Sequence, residues 1–196
     1  MTPGGPRLGV LVSGRGSNLE AILDAGIAVA LVVSNRPGVR ALEVAAAHGV
    51  PFRVLRRASF ADATERDLAI GEALTEAGVD VAILAGYDQL LRSSYFEAYR
   101  GRTLNIHPSL LPAHGGAGMT GLTVHRSVLE AGHAETGATV HEVTPELDAG
   151  PIIAQTAVPV LAGDTPETLA DRVLLSEHRL LVEVLRSLAT GTAGAC

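Results

Sequence analysis

Two short runs, residues 8–12 and 28–33, contain no polar residue at all, and a third, residues 79–85, is interrupted only by Asp80. These runs constrain the fold more than any other feature of the chain. A strand with one wet face alternates apolar and polar residues, and these do not. They are too short for buried helices and end in turn residues, so they read as strands covered on both faces, as in a parallel sheet. Helical segments fall between them at residues 19–25, 40–48 (with Gly49 as the stop) and 60–77 (closed by Gly78), and residues 52–55 supply a further strand. Strand and helix in alternation predict an α/β fold, a Rossmann-like, doubly wound, mostly parallel sheet.

The pattern changes after Gly86. Residues 87–91 read as a loop, 94–99 as a short helix and 103–106 as a strand, followed by a Gly-rich stretch at 115–121. A helix over 124–131 leads to strands at 136–143 and 152–158, arranged as a hairpin-like return. The last helix starts at Thr165 with Pro166 in its first position and runs to about residue 188. Neither repeats nor low-complexity segments occur. The expectation is a single domain over residues 1–196, with one half at about 7–100 and another at about 101–190.

Composition narrows the chemistry. Aromatic residues make up 3% of the chain, so Leu, Val, Ile and Ala must fill the core. The net charge of -6 argues against a nucleic-acid partner, which needs a basic surface. All fifteen basic residues are arginine. That excludes a P-loop lysine, a Schiff-base lysine and a lysine nucleophile. The one cysteine, Cys196, is the final residue, so no internal disulfide can form, which fits a reducing compartment. No run is long enough for a signal peptide or membrane span. A cytoplasmic protein without a membrane partner is expected.

The first strand runs into Ser13-Gly14-Arg15-Gly16-Ser17-Asn18 and then a helix. A helix start offers unpaired N–H groups and the positive end of the dipole to an anion. A dinucleotide fingerprint would need glycine at position 19, where Leu19 stands, and an acid after the second strand, where Asn35 stands. A monophosphate ester therefore fits better, with Gly16, Ser17 and Asn18 around it. The loop alone is equally compatible with a plain βα turn.

Asn105 and His107 lie two apart at a strand end, on one face, with Pro108 and Pro112 stiffening the exit. Strand C-termini are where open α/β sheets bind ligands. Asp148 sits in a separate loop framed by Pro145 and Gly150. A carboxylate beside an imidazole orients the ring and favours its charged form. A satisfied loop histidine remains the plainer reading of His107 by itself. His114, His125, His133 and His141 fall eight to eleven residues apart, without helix spacing and without a cysteine partner, so no metal site is expected.

At these residues the chain resembles the folate-dependent phosphoribosylglycinamide formyltransferases. The resemblance runs in order through Ser13-Gly14-Arg15-Gly16-Ser17-Asn18-Leu19, Leu84-Ala85-Gly86-Tyr87 and Leu104-Asn105-Ile106-His107-Pro108-Ser109-Leu110-Leu111-Pro112. It continues through Thr139-Val140-His141, Glu146-Leu147-Asp148-Ala149-Gly150-Pro151-Ile152-Ile153, Val158-Pro159-Val160, Gly163-Asp164-Thr165 and Glu177-His178. It implies the formyltransferase fold and transfer of a formyl group from 10-formyltetrahydrofolate to the amine of 5'-phosphoribosylglycinamide, a step of purine synthesis. Asn105, His107 and Asp148 would be catalytic. Gly16, Ser17 and Asn18 would hold the substrate phosphate, and Glu177 the ribose. Tyr87, Asp88, Gln89, Leu90 and Leu91, with Thr144, Glu146 and Leu147, would line the folate pocket. The partners implied are these small molecules, the protein being a monomer or homodimer.

The chain also departs from the family. Asp88 and Gln89 stand where the better-known members have an apolar residue and an arginine. The arginine that meets the folate tail has no clear counterpart, with Arg66 the nearby cation. Rival readings are a tRNA formyltransferase, expected to carry a further C-terminal domain and a basic surface, a formyltetrahydrofolate hydrolase, expected to carry an N-terminal regulatory domain, and a non-catalytic phosphometabolite-binding module.

Overall fold

The structure is a computed structural model that describes residues 5–191. Seven strands form one sheet in the order β3-β2-β1-β4-β5-β6-β7. They are β1 (Leu8–Val12), β2 (Val29–Ser34), β3 (Phe52–Val54), β4 (Val81–Leu84), β5 (Arg102–His107), β6 (Glu135–Glu142) and β7 (Ile152–Pro159). The first five pair in parallel, while β6 and β7 run antiparallel. The helices are α1 (Ser17–Asp24), α2 (Arg40–Ala47), α3 (Ala63–Glu76), α4 (Ser93–Ala98), α5 (Leu122–Glu130) and α6 (Pro166–Thr190). The Rossmann-like expectation holds, including the mostly parallel sheet and the C-terminal helix.

Strand β1 shows why its residues are apolar throughout. Leu8, Val10 and Val12 pack with α1, α2 and α6, while Leu11 packs on the other face with Ile70, Leu74 and Tyr95 of α3 and α4. Both faces are covered, so no position tolerates a polar side chain. Cys196, expected to form no internal disulfide, lies outside the described residues, as do residues 1–4.

Boundaries shift where a cap decides them. The segment 60–77, expected to be one helix, is helical only from Ala63, and a 3-10 turn at Arg57–Ser59 precedes it. The Asp62 carboxylate accepts from the Glu65 N–H at 2.9 Å, ending the extended stretch there. Helix α1 starts at Ser17, two residues before its expected start, so Ser17 and Asn18 belong to its first turn. At the other end of the chain Thr165 caps α6 in a reciprocal bond pair with Thr168, and Pro166 occupies the first turn.

Strand order reverses between β1 and β4, the switch point at which the loops after the two strands diverge and leave a crevice. The loop after β1 carries residues 13–16, and that after β4 carries Gly86 to Arg92. The β5 exit and the β6–β7 loop, with Asp148, close the same end of the sheet. Among the described residues no helix is long and apolar enough to cross a membrane.

Candidate active site

A cavity of ≈ 700 Å³ opens at this end of the sheet. Gly16, Ser17, Asn18, Asn105, His107, Asp148 and Glu177 all line it. So do Tyr87, Asp88, Gln89, Leu90, Leu91, Thr144, Glu146 and Leu147. These expected site residues thus reach one space from five separate segments.

Gly16, the residue that caps the start of α1, has φ 75° and contributes no side-chain bond. A Cβ there would lie 2.6 Å from the Cβ of Ala41, so the left-handed turn and the close approach of α2 both require glycine. The first turn has no side-chain cap, and Gly16, Ser17 and Asn18 line the cavity. Asn18 is buried, and its amide donates to Glu177 Oε2 at 2.9 Å. One Asn18 N–H is therefore committed to α6 rather than to an anion, while the Asn18 carbonyl oxygen has no partner. Burial pushes the Glu177 carboxyl up to about 7, with the Asn18 bond and the Arg15 charge opposing the shift.

Across the cavity, Asn105 of β5 faces His141 of β6, its cross-strand partner. The Asn105 amide Nδ2 lies 3.0 Å from His141 Nε2, and His141 Nδ1 lies 2.9 Å from the Glu142 carbonyl. A carbonyl only accepts, so Nδ1 carries the ring proton and Nε2 accepts from the amide. Burial lowers the His141 pKa, which keeps this neutral tautomer. The lock orients Asn105 and leaves its second N–H for the cavity.

His107 ends β5 with its ring buried. Its Nε2 donates to the His114 carbonyl at 2.9 Å, so the Nδ1 edge is the one that faces Asp148, 3.8 Å from Oδ2. Asp148 Oδ2 also accepts from the Gly116 N–H at 2.8 Å, and Oδ1 stands 3.7 Å from His141 Nε2. Asp148 has φ 52°, an unusual conformation that aspartate tolerates better than most residues. Close by, Gly150 is pressed against β6, where any Cβ would lie 1.9 Å from the Glu142 carbonyl oxygen.

Two cavity residues escaped sequence reasoning. His141 falls in a stretch that carries the resemblance but gains no role from it, and as a metal ligand it is rejected, yet it fixes Asn105; the antiparallel register of β5 on β6 is the signal that finds it. His125, on α5, lines the cavity with a buried, unpartnered Nδ1, and burial lowers its pKa.

Where the resemblance implies a folate pocket, the departures from the family take a definite form. Asp88 accepts from Ser13 Oγ at 2.9 Å and Asn35 Nδ2 at 2.7 Å, and pairs with Arg36. It ties together the ends of β1, β2 and β4. Arg66 is buried against Asp67 and donates to the Leu90 carbonyl at 2.9 Å. Its charge is already satisfied, so it braces the 87–91 loop instead of projecting a free cation into the cavity.

The site is a crevice at the switch point of a Rossmann-like sheet, where an uncapped helix start meets an amide, an imidazole and a carboxylate. The chain belongs to the formyl transferase family, whose model matches residues 6–185. Within that family its relatives are phosphoribosylglycinamide formyltransferases. The Escherichia coli (strain K12) phosphoribosylglycinamide formyltransferase is 39% identical over 188 residues, covering 93% of this chain and 86% of that protein. The trifunctional purine biosynthetic protein adenosine-3 of Gallus gallus is 43% identical over 191 residues, 94% of this chain but only 18% of that protein. The crystal structure of glycinamide ribonucleotide transformylase 1 from Symbiobacterium toebii superposes with a TM-score of 0.89 at 44% identity, covering 95% of this chain and 89% of that one.

Proposed function

We propose that this chain catalyses, in the cytoplasm, transfer of the formyl group of 10-formyltetrahydrofolate to the amine of 5'-phosphoribosylglycinamide, giving formylglycinamide ribonucleotide and tetrahydrofolate. The observation that carries the reading is the convergence of Asn105, His107 and Asp148 beside the uncapped start of α1. The names of its relatives point the same way. We take residues 1–196 to act as one formyltransferase domain, with the phosphate seat in the half over about 7–100 and catalysis and folate binding in that over about 101–190. No metal is assigned a role.

In this reading the first-turn N–H groups of α1 at Gly16, Ser17 and Asn18 hold the phosphate, and Glu177 accepts from the ribose hydroxyls. The walls at residues 87–91 and 144–147 suit a flat bicyclic ring, with exposed Leu90 and Leu147 at the rim. The folate supplies the formyl carbon. Asn105 gives its free N–H to the formyl oxygen as negative charge develops there. His107 works in its doubly protonated form: Nε2–H stays on the His114 carbonyl and Nδ1–H serves the charge on the cavity side. Preplaced donors of this kind are worth about 3 kcal/mol each. Asp148 balances the imidazolium and takes the proton that the attacking amine sheds, directly or through water. A C–N bond forms to the amine, the bond to the folate N10 breaks, and the proton ends on N10. Proton transfer of this sort contributes roughly 10²–10⁴-fold.

An absorbance assay for tetrahydrofolate, run with and without 5'-phosphoribosylglycinamide, tests the assignment. Product that requires the amine supports it. Product that forms without the amine identifies a hydrolase, and no product identifies a binding module.

A further inference from the structure

The Gly-rich loop between β5 and α5 contacts both His107 and Asp148. Its His114 carbonyl accepts from His107 Nε2 at 2.9 Å, and its Gly116 N–H donates to Asp148 Oδ2 at 2.8 Å. Gly115, between them, lies so close that an added Cβ would stand 2.6 Å from the Leu111 side chain and 3.4 Å from Asp148 Cβ. Such a loop is poorly able to hold itself in place, because Gly116, Gly118 and Gly121 all have positive φ and leave the backbone many alternatives.

The His114 side chain ties the loop to α5. His114 adopts φ 55°, a conformation that costs a residue with a Cβ free energy. Its Nδ1 meets Ser127 Oγ of α5 at 2.8 Å, and its ring stands edge-on to His133, with centroids 5.1 Å apart. Burial and the neighbouring His133 ring lower its pKa.

We infer that His114 is a positioning residue: its bond to Ser127 anchors the Gly-rich loop on α5, and through the loop's His114 carbonyl and Gly116 N–H it sets the orientation of His107 and Asp148. This rests on the catalytic assignment of His107. The His114 side chain touches no reacting atom, so its contribution should be to kcat and not to the binding of either substrate.

The test is steady-state kinetics on Ser127→Ala, His114→Ala and His114→Asn, with His107→Ala as the reference and thermal unfolding measured on each. Ser127→Ala is the cleaner variant, since it removes the anchor without touching the loop backbone. A loose catalytic group costs up to about 100-fold, so Ser127→Ala and His114→Ala should lower kcat by about tenfold or more with both KM values and Tm nearly unchanged. Asparagine tolerates positive φ and offers a polar atom near the place of Nδ1, so His114→Asn should recover most of the lost kcat. Wild-type kcat in both Ser127→Ala and His114→Ala, while His107→Ala is inactive, overturns the anchor and leaves the catalytic assignment standing. Wild-type kcat in His107→Ala removes the assignment on which it rests. A loss of kcat in Ser127→Ala matched by a fall in Tm overturns it in favour of a purely structural bond.

Discussion

Asn105 and His141 are directly opposed across the antiparallel β5–β6 pair, and their side chains meet at 3.0 Å. The register that puts them face to face makes His141 an orienting acceptor for the amide. With Nδ1 committed to the Glu142 carbonyl, the ring cannot present a second donor to Asn105 without gaining a charge that burial disfavours. Removing the ring frees the amide to rotate. His141→Ala should lower kcat by about tenfold, with a smaller change in KM, on the scale expected for a misplaced catalytic donor. Initial-rate kinetics at saturating substrate check this, and an unchanged kcat contradicts the orienting role.

Glu177 titrates near neutrality because burial raises its carboxyl to about 7. The folded pKa lies above the unfolded one, so the folded state holds this proton more tightly. The cost of ionising the buried group is therefore absent at pH 4 and fully present above pH 7. Glu177→Gln should match wild type in stability at pH 4 and exceed it at pH 8, by on the order of 3 kcal/mol. Denaturant unfolding at the two pH values reads this out. In activity the opposite sign holds: the ionised carboxylate is the better acceptor for ribose hydroxyls, so wild-type kcat/KM for the phosphoribosyl substrate should rise through pH 7. In Glu177→Gln that rise should vanish.

Asp88 gathers Ser13, Asn35 and Arg36 onto one carboxylate. Asn35 is buried, and its carbonyl oxygen already lacks a partner. Asp88→Ala would strand its amide as well, at a cost of about 1–3 kcal/mol. Because Ser13 leads directly into the turn proposed to hold the phosphate, the same variant should raise KM for the phosphoribosyl substrate more than it lowers kcat. A variant with unchanged Tm and unchanged KM would show that the knot is ornamental.

The sequence made the sheet legible for a physical reason. Leu8, Val10, Leu11 and Val12 leave no face polar, and only a strand covered on both sides accepts that pattern. Asn105 and His107 were legible as a pair because spacing by two fixes a shared strand face. What stayed hidden depended on long-range register or on loop paths. His141 acquires its role only once β6 lies antiparallel to β5 with Asn105 opposite. His114 acts through a backbone carbonyl, which no residue type announces. Arg66 looked like a cation available to a carboxylate, and only packing shows that Asp67, its chain neighbour, already neutralises it. The late start of α3 was in fact written in the sequence as Asp62 with Glu65 three residues on, a capping pattern outweighed by the apolar Phe60.

The most direct measurement of the central claim is kcat for Asp148→Asn at saturating concentrations of both substrates. Asparagine keeps the size and one acceptor oxygen for the Gly116 N–H, but it can neither balance positive charge on the His107 ring, whose Nδ1 lies 3.8 Å from Oδ2, nor take a proton from the amine. The account predicts a fall of roughly 10²–10⁴-fold in kcat with KM values close to wild type. Turnover within a few-fold of wild type would contradict it, because the carboxylate facing His107 would then be a structural neighbour and the reaction would have to run on other groups.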